Sequence, residues 1–474
     1  IKQATIVYPR MLESRSEGGL ILLKINDEIT LKLRKSSVFP EDFLVYSTKD
    51  DAPIVYHMRG AEIEKGIYED AEQMATVDLS HDDGITVKGV LSSNLRIRPL
   101  DEMEKSVTGE TPHELYEVEQ PDDMEHRHGD YATPPTNETV PVVESRQTSG
   151  TSGQGIRASI FPEVHVVVDY FISQALGFAE KAIAKYVAVM IGSANLRYQS
   201  IVQPRVRLRL VGVSVTKTKD EERYMVHVPG YETTRNILFG DTIEKFKEFA
   251  KLQPYFSSSD IVFLLTGLNM SEWRNGVLEH WTGGFAYIAG ACTEWKVGMS
   301  EERVKSFYGV FVFAHELAHS LGCNHDGEPA NSWPTGHIGS EDCPWDDGYM
   351  MSYKFVEPNM YRFSSCCQRE IRNLHSRPDY RYLIQKNSGK VGITTLKLPG
   401  EVSDLQTYCE KVYYDHKYVR ADLNYDLSNC IVRCFISQNG DNMLIAAVDG
   451  VECGKGKVCI LGNCTSKADL GKTP

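Results

Sequence analysis

The run His315-Glu316-Leu317-Ala318-His319-Ser320-Leu321-Gly322-Cys323-Asn324-His325-Asp326 holds the residues best able to do chemistry in this chain. Positions i and i+4 share one face of a helix, so His315 and His319 can offer imidazole nitrogens to one metal ion. Glu316 stands beside them, placed to polarise water rather than to ligate. Gly322 tolerates the left-handed backbone that ends a helix, after which the chain can return His325 as a third ligand. Three protein ligands leave a fourth position open, which is the hydrolytic rather than the structural arrangement for zinc. Two histidines four apart are by themselves as readily a satisfied core or surface pair. The third histidine, the glycine and the glutamate together favour the metal reading.

Downstream, Asp347-Gly348-Tyr349-Met350-Met351-Ser352-Tyr353 places two methionines after a turn-prone dipeptide. A long zinc motif followed by a methionine turn resembles the metzincin clan. The aspartate after the third histidine narrows the resemblance to the reprolysin (adamalysin) family of metalloproteases. Met351 aligns with that family's turn methionine, an apolar floor beneath the metal, although ordinary core packing would bury both methionines as well.

The chain has 474 residues, 41% of them hydrophobic and 24% charged, an ordinary globular composition long enough for about three domains. A net charge of −14 argues against nucleic acid or an anionic membrane as partner. No apolar run approaches the ~18 residues that a membrane span needs. The opening Ile1-Lys2-Gln3-Ala4-Thr5 has neither an initiating methionine nor an apolar signal core, and reads as the start of a chain already trimmed by signal peptidase. All eleven cysteines lie between Cys292 and Cys464, six of them in the tail. That density in a polar segment predicts disulfides in place of a core, and hence secretion. A second zinc cluster is the weaker reading, because the tail cysteines are not spaced as CxxC pairs.

Around the motif, the expected fold is multidomain. Residues 1–157 form a β-rich pro-region whose acidic, then Pro/Gly/Ser-bearing, linker begins near 101. Residues 158–388 form an α/β catalytic domain, and 389–474 a small disulfide-rich domain. Period-two apolar spacing in Gly19–Ile25, Ile29–Leu33 and Gly84–Val90 carries the first assignment. In the second, strands are expected at Val164–Asp169, Val206–Val213 and Ile261–Leu265. Helices are expected over Phe171–Arg197 and Asp241–Leu252, and from near Glu302 through the motif. That alternation predicts a mixed, mostly parallel sheet with flanking helices, as the metzincin resemblance also requires.

The family likeness implies further roles. Gly284, Phe285, Ala286, Tyr287, Ile288 and Ala289 match the edge strand that binds the substrate peptide by β-addition in reprolysins. Glu163 and Asp260 match positions of a structural Ca2+ site. Cys323, Cys343, Cys366 and Cys367 are expected to form two bridges along the lower wall of the cleft, with Cys292 reaching Cys409 and five cysteines left in the tail. Tyr8-Pro9-Arg10-Met11-Leu12-Glu13-Ser14-Arg15, the pro-region and the short tail look like salivary reprolysin-type metalloproteases of ticks. This resemblance implies a secreted Zn2+-dependent endopeptidase acting on host proteins such as fibrin, fibrinogen or matrix components.

The chain departs from the family in three places. Residues 1–291 hold no cysteine for a thiolate latch, the linker has no dibasic site around Arg146 or Arg157, and there is no Arg-Gly-Asp. Latency must then use another group or steric cover. Asn137-Glu138-Thr139, Asn269-Met270-Ser271 and Asn463-Cys464-Thr465 are glycosylation triplets. The rival readings are a degenerate scaffold that binds host proteins, which the intact histidines and glutamate disfavour, and a small-peptide zinc amidase, whose third ligand would come from elsewhere in sequence.

Overall fold

In a computed structural model of the chain, the described residues are 4–13, 19–49, 52–82, 84–118, 129–135, 159–231, 233–281, 283–384, 397–414 and 416–469. Arg146, Arg157 and the Asn137 triplet lie outside them.

Two large sheets sandwich one helix. The first is nine-stranded and antiparallel and uses only residues before 118; its own core gathers Leu23, Leu31, Leu33, Val77, Val87 and Ile97. The second has eight strands. Its centre is Glu163–Val168, paired in parallel with Arg209–Val215 on one side and Ile261–Thr266 on the other. Ile261–Thr266 pairs in parallel with Val297–Glu301, which pairs antiparallel with Gly284–Tyr287. Glu163–Val168 and Ile261–Thr266 are buried along their whole length, as unbroken apolar runs covered on both faces require.

The sheet does not stop at the pro-region boundary drawn from sequence. Asp42–Lys49 joins it in parallel with Arg209–Val215, and Ala52–Arg59 follows antiparallel. Phe43 and Val45 point into the core shared with the motif helix. Leu44, Tyr46 and Val55 pack instead against Leu398 and Val458 of the tail. Period-two alternation thus serves two neighbours at once. Residue 157 divides the sequence but not the packing.

The helix Glu180–Tyr198 lies between the sheets and is buried around most of its circumference from Ile183 onward, the pattern of an interior helix. Gly192 lets it approach the nine-stranded sheet, because a Cβ there would meet Thr76 Cγ2 at 2.8 Å. Lys185 Nζ reaches Asp78 Oδ1 at 2.9 Å.

Two helix boundaries differ from expectation. Phe171–Arg197 is two helices, Tyr170–Ala175 and Glu180–Tyr198, separated where Gly177 and Phe178 take positive φ. The motif helix is Val310–Ser320 and does not begin near Glu302. Lys305 and Phe307 also have positive φ, and the Glu302 carboxylate accepts from the N–H groups of Tyr308 and Gly309 at 3.0 Å each. That carboxylate caps the turn before the helix instead of starting it.

The tail is a helix, Leu405–Val412, with two three-stranded sheets and a small core centred on bridged cysteines. Its bridges are Cys409–Cys434, Cys430–Cys459 and Cys453–Cys464. Cys292 therefore does not reach Cys409. All six tail cysteines pair among themselves, while Cys292 is buried in the catalytic core, its thiol 3.4 Å from Asp260 Oδ1. The four cysteines of the lower wall do form two bridges, Cys323–Cys367 and Cys343–Cys366. Asn269 and Asn463 are exposed, and Asn463 adjoins a bridged cysteine.

Because the N-terminal strands share a sheet and a core with the catalytic residues, a cut confined to residues 136–157 is expected to leave both pieces associated. Size-exclusion chromatography checks this: co-elution in buffer and separation only in denaturant are expected, and separation in buffer would refute the shared core.

Candidate metal centre and substrate edge

The motif helix is fixed before any side chain on it is considered. Phe313 packs edge-to-face on Phe263 at 4.8 Å, and Tyr198 Oη donates to Ala314 O at 3.0 Å. Its last carbonyls need partners outside the helix. His319 O accepts from Ala289 N at 2.9 Å, and Ser320 O from Ala291 N at 3.1 Å. The chain just past Gly284–Tyr287 is thereby tied to the end of the helix. Gly322 has φ +103, the left-handed turn its position predicts, and His325 comes back toward the helix.

Each histidine is aimed from behind. His315 Nδ1 bonds Met350 O at 2.6 Å, His319 Nδ1 bonds Cys323 O at 2.7 Å, and His325 Nδ1 lies 3.2 Å from Glu328 Oε1. A carbonyl at Nδ1 selects the tautomer with its proton there, leaving the lone pair of Nε2 for a metal. The Nε2 atoms of His315 and His325 are 3.3 Å apart. Bonds of ~2.0–2.1 Å to a tetrahedral zinc place neighbouring ligand atoms about 3.4 Å apart, so the donors fit that ion. Burial lowers the His315 pKa to about 4 and keeps that ring neutral.

Sequence reasoning misses the fourth member of the cluster, Asp130, which comes from the acidic linker. Its carboxylate, fully buried, gathers with the three Nε2 atoms. It lies 3.4 Å from His315, 3.6 Å from His319 and 3.0 Å from His325. Burial alone would raise its pKa, but the imidazoles hold it well below the ordinary carboxylate value. Burial would likewise lower His325, yet the charge of Asp130 raises it to about 10. Tyr353 Oη donates to Asp130 Oδ2, and its ring stacks on His315 at 4.7 Å. Linker acidity hid Asp130, since one carboxylate in an acidic run carries no pattern. The one signal in the sequence is negative: residues 1–291 hold no cysteine.

Glu316 is buried, and neither carboxylate oxygen has a hydrogen-bond partner among the described residues. Burial, then the charge of Asp130, raises its pKa well above the ordinary value. Room for this side chain comes from Gly284, where a Cβ would sit 2.3 Å from Glu316 Cγ.

The strand matched to substrate binding forms the sheet edge opposite Ala52–Arg59, and the linker lies on it. Tyr131–Ala132 pairs in parallel, with Ala286 N donating to Asp130 O at 3.1 Å and Ile288 N to Ala132 O at 2.9 Å. Gly284, Phe285 and Tyr287 are buried in the strand. Ala289 does not continue the edge. Its φ is +53, its N–H is spent on the motif helix, and its carbonyl accepts from Tyr380 Oη at 2.7 Å.

Met350 and Met351 are both buried in the core beneath the helix. Asp326 N donates to Met351 O at 3.0 Å, and Ser364 Oγ donates to Asp326 Oδ1 at 2.6 Å. Ser364 also caps the helix Ser365–His375. The aspartate after the third histidine therefore joins the methionine turn to that helix. Glu163 and Asp260 lie together at adjacent strand starts, Glu163 N donating to Asp260 Oδ2 at 2.9 Å. Arg209 stands 3.8 Å from Glu163 and supplies the pair with positive charge.

Residues 163–364 match the family model for metallo-peptidase family M12, of reprolysin type. The chain is 27% identical over 326 residues to "A disintegrin and metalloproteinase with thrombospondin motifs like" of Bombyx mori, covering 65% of this chain and 45% of that one. It is 24% identical over 385 residues to venom metalloproteinase BumaMPs1 of Olivierus martensii, covering 80% and 92%. Against venom metalloproteinase antarease TserMP_A of Tityus serrulatus it is 25% identical over 399 residues, covering 80% and 93%. These matches support a metallopeptidase of the reprolysin type.

Gly284→Ala is expected to displace Glu316 while leaving the three histidines in place. Turnover should fall about 10²-fold, the cost of a misplacement near 1 Å, with metal content unchanged. Steady-state kinetics beside metal analysis checks this, and undiminished turnover would remove the proposed reason for the glycine.

Proposed function

We propose that the chain is a secreted zinc-dependent endopeptidase that hydrolyses extracellular proteins, with Glu316 as general base. The observation that carries this reading is the convergence of three Nε2 atoms beside the Glu316 carboxylate, which has no hydrogen-bond partner among the described residues, and a strand edge that pairs with an extended segment. His315, His319 and His325 would hold the zinc. When bound, zinc supplies a Lewis acid and lowers the pKa of water to about 7.

The chain's own residues do the rest. N–H groups of Ala286 and Ile288 present donors to an extended peptide, so a substrate adds to the sheet as a further strand. Glu316 takes the proton of the attacking water and passes it to the leaving amine. Buried beside the three histidines and without a hydrogen-bond partner among the described residues, that carboxylate is placed for both transfers. Met351 and its neighbours keep the floor of the site apolar.

Secretion is supported by five disulfides and by relatives named as venom enzymes. Among the described residues no helix is long and apolar enough to cross a membrane. The extracellular substrates we favour are fibrin, fibrinogen or matrix proteins. Ca2+ at Glu163 and Asp260 would be structural and would share those carboxylates with Arg209.

The zinc-loaded chain, cut within residues 136–157 and carrying Asp130→Ala, should digest gelatin or fibrinogen, and a chelator should stop it. Glu316→Ala should keep one zinc per chain yet lose about 10²–10⁴-fold in turnover. Near-normal turnover in that variant would falsify the assignment of the base, and chelator-insensitive digestion would remove the metal from the mechanism.

A further inference from the structure

We propose that Asp130 is a fourth metal ligand in the uncut chain, and that residues 129–135 thereby hold the enzyme latent by occupying both the metal centre and the substrate edge. This rests on the metallopeptidase reading above.

Three independent features converge on it. The first is the donor geometry. Asp130 lies 3.0 to 3.6 Å from the three Nε2 atoms, as the remaining corner of a zinc tetrahedron should. A carboxylate buried this deeply needs positive charge close by. A dication held by the three histidines would supply it.

The second is the way the segment is clamped. Tyr353 donates to Asp130 Oδ2. Tyr131 packs its ring on His319 at 4.6 Å, and its hydroxyl donates to Glu328 Oε2 at 2.6 Å. Glu328 is also the residue that aims His325. The segment is thus held by the same groups that orient the metal ligands.

The third is the backbone. Asp130 O and Ala132 O take the N–H groups of Ala286 and Ile288, which a substrate would need. At the metal the segment presents a side-chain carboxylate instead of a peptide carbonyl, so it fills the cleft without offering a bond to cut. This answers the absence of cysteine before Cys292: the latch is an oxygen ligand.

The N-terminal piece keeps its own strands in the catalytic sheet. A cut within 136–157 therefore leaves Asp130 attached to a piece that is still docked. Latency should outlast the cut and end when that piece dissociates.

The test uses the full chain loaded with Co2+, with Glu316→Ala in every sample to prevent self-cleavage. Acetohydroxamate is titrated as a small metal-binding probe, and visible absorption of the cobalt is followed. Asp130→Ala should bind the probe at least about tenfold more tightly than the chain with Asp130, since apparent affinity scales with the open fraction. Its cobalt spectrum before titration should also differ. Asp130→Asn, which keeps shape without charge, should shift in the same direction and covers the case in which the alanine variant misfolds. Cutting the linker should leave probe binding weak, because the docked piece still presents Asp130. Equal probe affinity and identical spectra, with one cobalt per chain in all samples, would overturn the latch but not the metallopeptidase. Failure of every sample to bind cobalt would overturn the reading beneath it.

Discussion

The site depends on hydrogen bonds at the back of three imidazoles. A metal needs three Nε2 atoms at one point, and each ring is turned there by its Nδ1 contact: Met350 O, Cys323 O and Glu328. All three partners lie beyond the motif helix, between Cys323 and Met350, so this stretch must be held still. Single hydrogen bonds contribute about 0.5–1.5 kcal/mol each, whereas a disulfide contributes about 2–4 kcal/mol. Cys323–Cys367 and Cys343–Cys366 therefore set how stable the stretch is, and the hydrogen bonds set which way the rings face. Asp326 joins the two by bonding Ser364 at the start of the helix that carries both partner cysteines.

Much of this was legible because the motif is local. The spacing of His315 and His319, the turn at Gly322 and the return of His325 all follow from helix geometry and one positive φ. Buried strands were legible for a similar reason, since an apolar run such as Ile261–Leu265 tolerates few other environments. The start of the motif helix was not. Glu302 to Tyr308 has helix-compatible residues, and only the tertiary capping of Tyr308 and Gly309 by Glu302 excludes the helix there. Phe178, bulky yet at φ +53, escaped in the same way.

The N-terminal residues were legible as β structure but not as part of the eight-stranded sheet. Alternation in Asp42–Lys49 states that two faces differ, not which elements cover them. Here one face meets the catalytic core and the other meets the tail. The helix Glu180–Tyr198 carried a better clue, because a helix apolar on nearly every side must be covered on nearly every side. The eight-stranded sheet covers one flank, and the nine-stranded sheet covers the other, with Gly192 against Thr76 marking a close approach.

On the proposed reading, substrate and linker contend for the same two donors, Ala286 N and Ile288 N, and the contest is unequal while the chain is whole. A segment tethered close to its site acts at an effective concentration near the millimolar range for short flexible connections. An extracellular protein would have to exceed that with a dilute, untethered strand. Here strands Asp42–Lys49 and Ala52–Arg59 also anchor the same piece in the sheet that contains Gly284–Tyr287. Cutting the linker removes neither anchor. What ends the contest is loss of the docked piece, so the strength of the sheet and core contacts between residues 38 and 90 and the catalytic residues, rather than the chemistry at Asp130 alone, sets how long the centre stays closed.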